Sequence, residues 1–204
     1  MFKKVLVALA VVALTVGYAQ AQFKFGARGG INLSNMKFEY DGTTESYKMK
    51  PGIQIGAVAE YGLSETLFLQ PGFLFAQQGC KIEEDGETGS ITLNYIQIPV
   101  NLQFKVDVEN TLLLLQAGLY GGFGIGGKFK YEGVSVDVEF GSGKSADFKT
   151  FDFGLGIGAG IQFSNMQVGI GYNLGLANID PSGSSKETAK NNGLAFTFTY
   201  FFGN

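Results

Sequence analysis

Histidine and tryptophan are missing from this 204-residue chain, cysteine occurs once and proline four times. Each gap closes off some chemistry. Without histidine there is no Ser-His or Asp-His dyad. That excludes the chemistry used by the phospholipases, lipid-A deacylases and palmitoyl transferases found in small membrane barrels. No His/Cys zinc site can be assembled either. The lone Cys80 has no partner for an intrachain disulfide. Charge is sparse and slightly acidic, with 15 basic against 18 acidic side chains, so there is no basic stripe for nucleic acid. After the first residues, no apolar run nears the eighteen or so needed for a membrane-spanning helix.

The opening residues are a separate unit. Lys3 and Lys4 precede an apolar run from Val5 to Val16, followed by Ala19-Gln20-Ala21. A charged start, a short apolar stretch and a small-x-small site define a secretory signal peptide over residues 1–21. Cleavage is expected between Ala21 and Gln22, leaving one domain over residues 22–204. No cysteine follows the cut, so a lipid-anchored start is not expected.

What is abundant is glycine, phenylalanine and alternation. In Phe151–Phe163, "FDFGLGIGAGIQF", the odd positions are Phe, Phe, Leu, Ile, Ala, Ile and Phe, and the even positions are Asp, Gly and Gln. Period-two alternation is the strand signal, and it recurs in eight segments. These are Phe23–Leu33, Gly52–Tyr61, Leu67–Gln78, Thr92–Lys105, Leu112–Gly121, Phe151–Phe163, Met166–Leu176 and Leu194–Phe202. Three connections are short: Gly62–Glu65, Val106–Thr111 and Ser164–Asn165. Four are long and polar: Ser34–Lys50, Gly79–Ile91, Gly122–Thr150 and Ala177–Gly193.

Short turns at one end and long connections at the other predict an all-β fold, an eight-stranded antiparallel up-and-down transmembrane β-barrel. One strand face would meet lipid, and glycine and amides would crowd a lumen only wide enough for side chains. A soluble barrel carrying an apolar ligand would invert that phase. It would spread charge along its strands, whereas here charge gathers in stretches such as "KIEEDGETG", Lys81–Gly89.

Several segments resemble the PorT-like outer-membrane β-barrel family of Bacteroidetes. They are "LQPGFLFAQQG" (Leu69–Gly79), "LNYIQIPVNLQF" (Leu93–Phe104), "FGLGIGAGIQF" (Phe153–Phe163), "GYNLGLANI" (Gly171–Ile179) and the aromatic end "FTFTYFF" (Phe196–Phe202). The resemblance spans essentially the whole mature chain. Where that family often carries a glutamate two residues after the third-strand glutamine, this chain has Gly72. The resemblance implies a small outer-membrane barrel, and no role in secretion is carried over.

Candidate sites follow from the predicted phase. Lys24, Arg28, Glu60, Lys105 and Asp152 would point into the lumen, where buried charges need partners. A pairing of Lys24 or Arg28 with Glu60 across the first hairpin is expected. Phe196, Phe198, Tyr200 and Phe202 form a lipid-facing C-terminal strand of the kind that barrel-insertion machinery reads. Tyr61, Phe104 and Phe163 should lie near the same rim. "GFGIGG" (Gly122–Gly127) lacks the following helix of a dinucleotide loop, because Lys128–Phe140 reads as strand, a hairpin extending above the membrane, and Glu83, Asp85 and Glu87 lack the order of a calcium loop.

The expectation is a non-enzymatic outer-membrane protein of a Gram-negative envelope, with no cofactor, no metal site and no catalytic residue. It would contact membrane lipid and lipopolysaccharide and present outer loops for binding, adhesion or envelope support. A narrow conduit for small solutes is the alternative, with the secreted soluble barrel as a third reading.

Overall fold

The computed structural model describes residues 23–41, 43–84, 87–143, 145–182, 184 and 187–203. The predicted leader and its expected Ala21–Gln22 cleavage site lie outside them. The described residues form ten strands: β1 (Phe23–Tyr40), β2 (Thr43–Ser46), β3 (Lys48–Gly62), β4 (Leu67–Glu84), β5 (Glu87–Val108), β6 (Thr111–Tyr131), β7 (Val134–Val138), β8 (Phe151–Phe163), β9 (Met166–Gly175) and β10 (Glu187–Phe202). Eight of them, all but β2 and β7, pair antiparallel in sequence order. The ring closes through β10 against β1, from Phe25↔Phe202 to Tyr40↔Glu187. This is the predicted eight-stranded up-and-down barrel. Closure leaves no edge in the spanning region, as hydrocarbon requires.

The short connections at residues 63–66, 109–110 and 164–165 share one end. Two are tight hairpin turns whose first residues, Glu109 and Ser164, take positive φ of 58° and 53°, the sense that suits the twist of the flanking strands.

Bulky residues face outward along the lower part of every ring strand. Phe25, Ile55, Phe73, Leu115, Ile157 and Phe202 are among the most exposed large apolar side chains of the described residues. A water-soluble particle with this surface would aggregate, so the soluble alternative is excluded. Aromatic rings cluster at the short-turn end. Phe23 lies 4.8 Å from Tyr61 and Tyr200 lies 5.8 Å from Phe202, centroid to centroid, the arrangement of a membrane-interface girdle.

The long connections are not loops for most of their length. β1, β4, β5 and β10 run on well past the predicted ends, and β2 and β7 add short hairpin partners. The reason is visible on β5. From Ile96 to Phe104 the even positions are apolar and outward. From Ile91 to Tyr95 the odd positions are apolar, and they are buried inward. The strand does not break at Tyr95–Ile96; the medium outside it changes. Below that level the outer face meets lipid and the lumen is polar. Above it the outer face meets water and the interior is apolar. β1 makes the same switch between Leu33 and Met36. β6 makes it through a bulge, with Asn94 opposite Gly126 and Tyr95 opposite Gly124.

Candidate functional site

The interior has two storeys. In the lower one, Lys105 Nζ on β5 meets Glu60 Oε2 on β3 at 2.6 Å, with both side chains almost wholly buried. The same ammonium donates to Gln162 Oε1 of β8 at 2.7 Å and stands 4.4 Å above the Phe68 ring. Gln70 Nε2 of β4 donates to Glu60 Oε2 at 3.4 Å. Arg28 of β1 donates through Nε to Thr199 Oγ1 of β10 at 2.8 Å. Its Nη2 donates to Gln70 Oε1 at 2.5 Å and to Gln167 Oε1 of β9 at 3.3 Å. Gln167 donates to Gln103, and Gln103 to Gln116 of β6. Every ring strand therefore supplies at least one member of a single polar network across the bore, and β5 supplies two, Gln103 and Lys105.

The expected partner of Glu60 needs correction. Lys24 is its cross-strand neighbour in register, but Lys24 sits half-exposed at the mouth. Arg28 is engaged by neutral oxygens. Glu60 is paired instead by Lys105, two ring strands away, because the narrow bore brings β3 and β5 within side-chain reach. Asp152 of β8 is buried higher up. Its Oδ2 accepts from Asn191 Nδ2 at 3.0 Å, and Asn191 Nδ2 also donates to Tyr95 Oη at 3.2 Å. Among the described residues Asp152 makes no ion pair.

The upper storey is an apolar plug. Met36, Cys80, Ile91, Leu93, Tyr95, Val138, Phe148, Ala177, Ile179 and Ala189 form one buried cluster. The return segment after β7 folds back over the bore. Phe140 pairs as a bridge with Phe148 and packs edge-on to Tyr95 at 5.6 Å. Gly124 makes room for it: a Cβ there would sit 2.4 Å from the Phe140 ring. So "GFGIGG" is strand and ring seat. Between the storeys lies a cavity of about 50 Å³ lined by Arg28, Gln54, Gln97, Asn101, Tyr120 and Thr197 among others. That is space for a few water molecules. Sequence reading left open whether residues 122–150 enter the barrel, and it missed the wall residues of the plug, because Leu93 and Met36 carry the parity of the polar face.

The acidic hairpin does not gather ligands. Glu83 pairs with Lys48, and the Glu87 carboxylate accepts from the Tyr131 hydroxyl, which holds Glu87 below its usual range. Asp85 lies outside the described residues. Among the described residues no group of three or more His, Cys, Asp or Glu side chains could hold a metal. Buried Cys80, above the parity switch, has its thiol pushed up to about 12 by desolvation.

Residues 18–180 match the outer membrane protein beta-barrel domain family. The chain belongs to that family. It is an outer-membrane β-barrel protein, with its short turns at one end and its long hairpins at the other. No curated protein matches it. Among solved structures it is similar to the attachment invasion locus protein Ail of Yersinia pestis: 18% identity over 87% of this chain and 98% of that one, TM-score 0.44. It is also similar to neisserial surface protein A, at 11% identity over 87% and 96%, TM-score 0.44. A third is the outer membrane protease OmpT of Escherichia coli, at 11% identity over 88% and 97%, TM-score 0.37. None of the three bears on what this chain binds or does.

Proposed function

We propose that this barrel is a non-enzymatic, PorT-like outer-membrane scaffold that anchors in lipid and offers its outer hairpins to a partner, for adhesion or envelope support. The observation that carries this reading is where order is invested. The bore is filled by a polar network below and an apolar plug above, while β1–β2, β4–β5 and β6–β7 continue as paired strands beyond the parity switch. Tyr40, Val134 and Val136 stand exposed there. The absence of histidine supports a non-enzymatic role, and the five segments quoted above support the PorT-like assignment within Bacteroidetes.

On this reading the lumen charges Arg28, Glu60, Lys105 and Asp152 hold the barrel shut and carry no traffic, while Lys24 stands at the mouth outside their network. The aromatic strand Phe196, Phe198, Tyr200 and Phe202 serves both as lipid face and as signal to the insertion machinery. The leader is removed before Gln22. Outer-leaflet lipopolysaccharide is the standing lipid partner.

Single-channel recording in planar bilayers tests the reading. A closed record is expected under voltage of either sign; steady or ligand-dependent openings would favour the conduit. Terminal sequencing of the protein from isolated membranes should begin at Gln22.

A further inference from the structure

Outside the lipid-facing band, the outward side chains change character in a fixed order. On β1 and β10 the apolar rung Leu33↔Leu194 is followed by Asn35↔Asn192, then Lys37↔Lys190, then Glu39↔Thr188. On the other side of the barrel Phe75↔Ile96 is followed by Gln77↔Asn94. Next come Gly79↔Thr92↔Lys128, then Lys81↔Ser90↔Lys130, then Glu83↔Thr88. Two separated sectors thus repeat the sequence apolar, amide, lysine, acid. In a chain of net charge −3, this gathers Lys37, Lys190, Lys48, Lys81, Lys128 and Lys130 into one collar.

The collar is electrostatically unfavourable by itself. Lys37 stands directly opposite Lys190, and Lys48 directly opposite Lys81, and like charges so placed repel. Lys130 and Lys81 also contribute, after desolvation, to holding Lys50 below its ordinary range. Glu83 answers Lys48 and Asp137 answers Lys128. No ion pair is formed by Lys37, Lys190, Lys81 or Lys130 among the described residues. Lys37 lies four residues beyond Leu33, about 13 Å along a strand and about 10 Å in height once the strand tilt is allowed for. Long lysine stems reach back from there toward the headgroups.

We infer that this lysine collar binds the phosphate groups of the outer-leaflet glycolipid, the amide rung marking the boundary of the acyl chains. The inference rests on the outer-membrane placement and adds the residues that make the contact. Anionic phosphate between Lys37 and Lys190, and between Lys81 and Lys130, offsets the repulsion that the fold builds in.

The test uses the mature barrel in a neutral detergent, titrated with phosphorylated lipid A and with the same lipid after enzymatic removal of its phosphates. Wild type should prefer the phosphorylated form, and added salt should weaken it. K37Q/K190Q and K81Q/K130Q should each lose affinity for the phosphorylated form only, by about fivefold per lysine removed. K24Q, at the opposite mouth, should match wild type. Heat-modifiable gel migration confirms that each variant is folded. Salt sensitivity of wild type, which needs no variant, is the second readout. Equal binding of both lipids by wild type, or an unchanged four-lysine variant, overturns the collar. Failure to hold either lipid overturns the membrane placement as well.

Discussion

Replacing Lys105 with methionine separates a filled lumen from a wet one. Methionine keeps most of the stem and removes the ammonium. Glu60 Oε2 would then keep only Gln70 Nε2, at 3.4 Å, a long bond from a neutral donor. Both side chains are almost inaccessible, at 1% and 4% exposure, so the stranded carboxylate should cost about 3–5 kcal/mol. The low end is expected, because Arg28 shares Gln70 with Glu60 and still compensates part of its charge. If the lumen were water-filled, the same substitution would cost about 0–1 kcal/mol. The E60M/K105M double variant removes both charges and should recover most of the loss. The chain has no tryptophan, so urea unfolding of vesicle-inserted barrels is best followed by far-ultraviolet circular dichroism and gel mobility. A single-variant loss below about 1 kcal/mol, or a double variant no better than the single, would refute the buried pair and revive the conduit.

Other outcomes follow from the same packing. Phe148→Ala should cost about 3 kcal/mol by hollowing the plug, yet bilayer recordings should stay closed because the polar network below is intact. Gly160→Ala should destabilise by about 1–3 kcal/mol, since its Cβ would lie 2.3 Å from the Val168 carbonyl oxygen. Gly156→Ala, whose Cβ meets only the Asn173 side chain at 3.0 Å, should be milder in the same urea titration. Cys80 should resist maleimide at pH 9–10, where a free thiol reacts. Its titration lies near 12, so the thiolate fraction stays small until the pH passes that value or urea opens the outer storey.

The lower barrel was legible because one physical condition holds along it: lipid outside, polar lumen inside. Each strand there repeats a single parity, so Phe151–Phe163 or Leu194–Phe202 can be read alone. The upper barrel was not legible by the same rule. At Tyr95–Ile96 and Leu33–Met36 the condition reverses, and the apolar parity reverses with it. Read with a fixed phase, Ser90 and Ile91 of "SITLNY" (Ser90–Tyr95) fall in a connection, and Leu93 and Tyr95 fall on the polar face. Read with a phase that flips at the membrane surface, it is the continuation of β5, with Ile91, Leu93 and Tyr95 inside. The bulge at Gly126, φ 147°, hides the same switch on β6.

The candidate site divides along the same line. That Arg28, Glu60, Lys105 and Asp152 face inward needs only the parity of their own strands. Which of them meet does not. Pairing across a closed bore depends on the stagger between strands, so Glu60 and Lys105, 45 residues apart, become partners while the register neighbour Lys24 does not. The plug depends on more still. Phe140 ends the alternating run Val134–Phe140 and Phe148 lies beyond it, yet nothing in that alternation says that Phe140 turns back over the bore, where it is seated only because Gly124 carries no side chain. Local alternation specifies a wall; what fills the wall is specified by residues that the wall's closure brings together. For this reason the closed bore stands on the measured cost of stranding Glu60, a quantity that no strand-by-strand reading supplies.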